Sequence, residues 1–241
     1  MNNLAKPELG DLVARLTADD LDRGERGRLL AGVTRALATG ARAAAVSGKR
    51  LSDLVIDEIA PHLPVRDLLT LREHHHGLSG DELADALVRN ASVVTAAIGA
   101  AAGAVAAAEF VAPPALLAAP VQLAAETVAV VAVELKLVAE LHVAYGKAPT
   151  GNRRALATAY LTSWAGKRGL DAGTGGPSLS DILSTAARQQ VRQRVVRRLR
   201  RNLSSLAPFL AGAVAGAELN RRETRNLGEA LQRDLRRKRA T

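Results

Sequence analysis

Apolar residues along this chain recur at intervals of three and four, and no stretch sustains the apolar–polar alternation of a half-buried strand. That periodicity predicts an all-α fold. Leu9, Leu12, Val13 and Leu16 form the first stripe. Thr17 followed by Asp20 predicts the next helix start, because a hydroxyl can accept from the free amide groups of a first turn. Leu29, Leu30, Val33 and Leu37 continue that helix towards Ala45. A short helix holds Leu54, Val55 and Ile59 and is closed by Pro61 and Pro64. Another runs from Val65 to about Glu73. Ser79 and Glu82 then stand at the spacing of a capping box, which predicts a helix leading onward.

Polar positions thin out from Ala91 to Tyr145, and the rest of the chain is organised around that block. It reads as two long helices joined at Pro113-Pro114, so the expected architecture is a multi-helix bundle around a central Ala/Gly/Val-rich hairpin. Val94, Ile98 and Val105 share one stripe, and Gly99 and Gly103 lie roughly opposite. A second G-x-x-x-G pair, Gly212 and Gly216, sits in a similar Ala-rich context. Glycine at this spacing strips a helix of side chains and lets another backbone approach, so the two motifs are expected to pack together. The second helix of the hairpin places Gln122, Glu126, Lys136 and Glu140 on one side and ends at Tyr145-Gly146, with glycine as C-cap.

The block is long enough to raise the question of a membrane span. Residues 91–112 hold few of the large aliphatics that drive insertion. The greasier stretch from Ala115 to Val133 contains Pro120, Gln122 and Glu126. A carboxylate near mid-span costs roughly 2.5–3.5 kcal/mol. The hairpin therefore reads as a buried core.

Beyond it, a helix is expected from about Arg153 to Gly166, then a linker from Gly169 to Pro177. A long helix follows from Asp181 to about Leu206, and Pro208 breaks it. A small-residue helix carries Gly212 and Gly216, and a last helix carries Leu227, Leu231 and Leu235. This divides the chain into an N-terminal helical region, 1–80, and a core with basic C-terminal helices, 81–241.

Composition narrows the chemistry. Hydrophobic residues make up 48% of the 241 positions but aromatics only 2%, so the core must be built from small and branched aliphatics. There is no cysteine, which removes disulfides, thiolate metal sites and cysteine nucleophiles. The opening MNNLAKPELG has no basic segment followed by an apolar run, so a cytoplasmic protein is expected. The net charge of +9 is uneven: residues 1–150 hold 14 Lys/Arg against 18 Asp/Glu, and residues 151–241 hold 19 against 6. The second part is thus expected to face something anionic.

Few motifs carry chemistry. His74, His75 and His76 suggest a metal, but adjacent helical residues point about 100° apart, and no cysteine assists. A solvated loop or frayed helix end is expected there, with no metal and no cofactor. Glu126 and Glu140 are the candidates for an acid–base pair, and pairing or capping is the more ordinary role for such residues. The arginines say more. Arg192, Arg197, Arg198, Arg201, Arg221, Arg222 and Arg225 form a basic helical surface, and the guanidinium fork suits phosphate. With no aromatic among them, a stacking platform for nucleic acid is missing, whereas anionic headgroups need none. The leading expectation is peripheral association with an anionic membrane surface or a membrane protein complex, acting at the inner face of the cell membrane. Nucleic-acid binding through the same arginines is the alternative, and a homo-oligomer is compatible with either.

Two segments carry a family resemblance. The hairpin ending in Ala144-Tyr145-Gly146, and GAVAGAELNRRETRNLG from Gly212 to Gly228, resemble the EcsC family over roughly residues 81–240. Its members are bacterial proteins without a defined biochemical activity, named for a gene neighbourhood shared with an ABC-type transporter. The resemblance implies a membrane-linked accessory role and supplies no catalytic residues. The helical lead before residue 81 and the Arg-rich helix depart from the family core.

Overall fold

The computed structural model describes residues 8–38, 54–109, 119–151 and 210–237, together with six helical positions between 156 and 167. Its helices are α1 (Leu9–Leu16), α2 (Arg23–Ala38), α3 (Leu68–His74), α4 (Gly80–Glu109), α5 (Ala119–Ala144) and α6 (Leu210–Arg237). A π-helical turn, Val55–Ile59, and a 3-10 turn, Ala60–His62, precede α3. Among the described residues there is no strand, and the protein is an all-α bundle. The Pro113-Pro114 turn, the linker after Gly169 and the Asp181–Leu206 helix lie outside the described residues.

Helix α5 is the axis. From Gln122 to Leu141 it is buried on every side, Val131 alone being partly open. Its alanines and valines make it narrow enough to be wrapped by α1, α2, α4 and α6. One continuous apolar cluster runs from Leu9 in α1 to Leu235 in α6. The Gly80–Gly103 stretch of α4 is long and apolar enough to cross a membrane, but 61% of its apolar 18-residue window is buried inside the protein.

Helix α6 lies antiparallel along α4. Asp81 meets Arg236, Asp85 meets Gln232, Val88 meets Gly228, Thr95 meets Asn220, and Gly99 meets Gly216. At the last of these the backbones touch: a Cβ on Gly99 would stand 2.6 Å from the Gly216 carbonyl oxygen. Gly103 is buried further along α4, and Gly212 lies in the first turn of α6. The two helices expected after Pro208 are one. No proline interrupts the sequence between them, and Gly216 and Gly228 serve close packing instead of breaking the helix.

The start of α2 also differs from expectation. Thr17 closes α1, its hydroxyl donating to the Ala14 carbonyl at 2.7 Å. The N-terminal box is one turn later. The Glu25 amide donates to Asp22 Oδ1 at 2.8 Å, and the Asp22 amide to Glu25 Oε2 at 3.3 Å. Between the two helices Arg26 is buried, its guanidinium donating to the carbonyls of Leu16, Ala18 and Leu21. An arginine has no acceptor to leave unsatisfied, so it can staple a turn rich in orphan carbonyls.

Both helix ends that frame α4 and α5 are Schellman motifs. At the end of α5, Gly146 (φ 65°) donates to Val143 and Lys147 to the His142 carbonyl. At the end of α3, His76 (φ 54°) donates to Glu73 and Gly77 to Arg72. Helix α3 itself buries only Leu71, worth roughly 1.5–3 kcal/mol. Its attachment to the bundle therefore depends on the polar contacts that surround it.

Candidate functional site

Two features bear on function: a line of buried polar groups along α5 and the outward face of α6.

The polar side expected of α5 is real, but it faces inward. Near one end, Glu126 Oε1 accepts from Asn220 Nδ2 of α6 at 3.3 Å, and that amide also reaches the Thr95 carbonyl of α4 at 3.2 Å. Two turns on, Glu134 accepts from Trp164 Nε1 at 2.8 Å and from the Thr224 hydroxyl at 3.0 Å. At Glu140 the Arg66 guanidinium forks onto both carboxylate oxygens, at 2.8 and 3.0 Å, and Lys136 Nζ lies 3.0 Å away. Arg66 also holds Asp19 at 3.2 Å. Burial alone would lower the Arg66 pKa; the Glu140 hydrogen bonds and charge and the Asp19 charge raise it above its ordinary value. At the end of the helix the Tyr145 hydroxyl donates to Asp81 Oδ1 at 2.7 Å, and Arg236 joins both. Three of these layers tie α5 to α6, and the Glu140 layer ties it to the segment that precedes α3.

This arrangement does not assemble an acid–base pair. Glu126 and Glu140 share one helix, fourteen residues apart, or about 21 Å at 1.5 Å per residue. The cleft beside Glu140, lined by Thr17, Asp19, Arg66, Asn90 and Lys136, has room for about one water molecule, about 10 Å³. No substrate enters a space of that size.

The histidine run splits three ways. His74 is exposed, with Nδ1 on the Thr70 carbonyl at 2.9 Å, and His76 is exposed in the left-handed region. His75 departs from the expected solvated end: it is 7% exposed, and its Nε2 has no hydrogen-bond partner. The turn that closes α3 points it inward towards Arg66, Asp19 and Glu140. Burial first, and the Arg66 charge second, hold its pKa below 6.5. Among the described residues no three His, Asp or Glu side chains converge as metal ligands would.

Of the predicted arginines, Arg192, Arg197, Arg198 and Arg201 lie outside the described residues. Arg221, Arg222 and Arg225 are exposed on α6, and Arg233, Arg236 and Arg237 extend the same face. Arg221 and Arg222 share the Glu218 carboxylate, whose pKa they pull down. Arg237 pairs with Asp234 at 2.9 Å and Arg236 with Asp81 at 2.9 Å. Among the described residues Arg225 and Arg233 have no carboxylate within ion-pair distance. The stripe from Arg221 to Arg237 covers sixteen residue steps, about 24 Å. Among the described residues Glu229 is the exposed acid in it.

Sequence reasoning missed Arg66, Asn220 and Thr224, and the burial of His75. Asn220 and Thr224 had a usable signal: both lie on the stripe of α6 that also holds Leu227 and Leu231, so they should be buried with it. Arg66, in an irregular segment after Pro64, had none.

No protein-family model, no curated protein and no solved structure matches this chain.

Proposed function

We propose that this protein is a non-enzymatic helical accessory protein that associates peripherally with an anionic membrane surface, or with a complex embedded in one, through the outward face of α6. The observation that carries this reading is the exposure of six arginines on one straight helical face, with its opposite face sealed against α4. A rigid rod of guanidinium groups about 24 Å long matches a flat array of phosphates. The face presents no aromatic residue on which a base could stack. Among the described residues its one large exposed apolar side chain is Val214, so contact would be electrostatic, without deep insertion. The buried carboxylates of α5 support a non-enzymatic role, since those described are tied to side chains of the neighbouring helices. The segment that resembles the EcsC family, Gly212 to Gly228, builds the first two thirds of α6, and that resemblance points the same way.

The test is co-sedimentation with vesicles of neutral lipid and of neutral lipid mixed with anionic lipid. At low salt the protein should pellet with the anionic vesicles alone. Replacing Arg225 and Arg233 with Gln should weaken binding roughly thirtyfold, at about 1 kcal/mol per basic residue near the surface. Equal pelleting with neutral vesicles, or no change in the double variant, would defeat the reading. Salt-sensitive binding to a mixed-sequence duplex without vesicle binding would transfer the same arginines to nucleic acid.

A further inference from the structure

We infer that His75 is the latch of an acid-opened flap, the segment 65–78 that carries α3, and this inference is independent of the lipid reading. The flap has a hinge on one side and a clamp on the other. The hinge is the turn between α3 and α4, where His76, Gly77 and Gly80 take φ values of 54°, 81° and 54°. The clamp is Arg66, which forks onto Glu140 of α5 and reaches Asp19 in the α1–α2 connection. Between them Leu71 is the one side chain of α3 buried in the core.

His75 sits against this clamp. It is buried, and Nε2 meets no acceptor. The groups facing it are Arg66 on the flap itself, Asp19 from the α1–α2 connection, Glu140 from α5 and His74 beside it. Lys136 stands one turn from Glu140 and shares its carboxylate. Nε2 meets no acceptor where it sits, so an imidazolium would enter a site with an unpaired N–H and a guanidinium as its neighbour. A buried charge without a hydrogen-bond partner is costly. In the closed flap the ring is therefore held neutral.

The sign follows. Burial and Arg66 place the pKa of the closed form below that of an open, hydrated His75, so the open form takes up a proton that the closed form refuses. The closed-to-open ratio is constant well above pH 6.5. Below it the ratio falls, by up to about tenfold per pH unit, until the closed form itself protonates. Opening frees Leu71 to join Val65, Leu68 and Leu69, which are already exposed at 39%, 41% and 69%. The flap then becomes a short helix with Leu68, Leu69 and Leu71 all open to solvent.

Hydrogen exchange of the full chain, corrected for the intrinsic pH dependence of exchange, tests this. Between pH 6.5 and pH 5.5 the protection of residues 68–78 should fall several-fold while that of α5 holds. His75→Gln, neutral at both values, should abolish the fall, and His74→Gln should leave it intact. A flap equally protected at both pH values in the unsubstituted protein, or a fall that persists in His75→Gln, overturns the latch. Should His75→Gln fail to fold, the proton resonances of the His75 ring decide the matter in the unsubstituted chain. Titration below pH 6.5 coupled to loss of flap protection supports the latch, and titration at or above 6.5 overturns it.

Discussion

Gly99 and Gly216 face each other but are not equivalent. A Cβ on Gly99 would stand 2.6 Å from a backbone oxygen and 2.6 Å from the Asn220 amide, whereas on Gly216 the nearest atom lies at 3.1 Å. Alanine gains about 1 kcal/mol of helix propensity over glycine at either position. At Gly99 the two helices would have to part, and net destabilisation of about 2 kcal/mol is expected. At Gly216 the propensity gain should offset the tighter fit and leave stability within about 1 kcal/mol of the parent. Urea midpoints of the two variants, with unchanged m-values, check the ranking. His76 gives the opposite case. It holds the left-handed C-cap of α3, where a side chain costs roughly 1–2 kcal/mol, and a Cβ is its only handicap there because the ring is exposed. His76→Gly should stabilise the protein by about 1 kcal/mol, read as a rise in the urea midpoint, and His76→Ala should not.

At the scale of elements, α3 depends on the charge pair that anchors it. Glu140 is 2% exposed and Arg66 18%. Arg66→Ala leaves a buried carboxylate with Lys136 as its remaining cation among the described residues, and a loss of about 3 kcal/mol is expected. The double variant Arg66→Met with Glu140→Met removes the charge together with its partner and should recover most of that loss. If both variants are equally unstable, the pair is not what holds the segment. The helices themselves were largely readable from periodicity: the stripes of α1 and α2, the glycine cap after Tyr145 and the apolar identity of α4 and α5 all follow from spacing. What could not be read was partnership. The Gln122, Glu126, Lys136 and Glu140 side of α5 resembles a solvated face in one dimension. Only the arrival of Asn220, Arg66 and Trp164 from distant segments makes its burial tolerable. The continuity of α6 was not legible either: its Ala/Gly-rich start and its Leu-striped end differ in composition but form one helix, in which Gly216 and Gly228 permit close contact.

For the molecule as a whole, charge is segregated by depth as well as by sequence. The carboxylates of α5 are internal, Glu140 held by Arg66 and Lys136, while the arginines of α6 are displayed. A surface of this kind should act over a short range, since the Debye length is about 8 Å at 0.15 M salt. Raising salt from 0.05 to 0.3 M should therefore release the protein from anionic vesicles while leaving its fold intact, as judged by unchanged helical circular dichroism. The arginines of this face could be named from the sequence, and their direction could not. Among the described residues Arg225 and Arg233 stand clear of ion pairs because the buried stripe of α6 fixes which way they point, and that stripe is defined by α4.

The antiparallel seating of α6 on α4 also has a consequence in time. The hydrogen bonds that join them link residues 125 to 155 positions apart. During synthesis α4 and α5 leave the ribosome long before α6 exists. The groove around Thr95 and Gly99 must wait, open and apolar, for a strip of chain made more than a hundred residues later. Loops of that length close slowly. The helix that displays the arginines is thus also the lid of the core, so a chain that presents its basic face is one whose folding is finished.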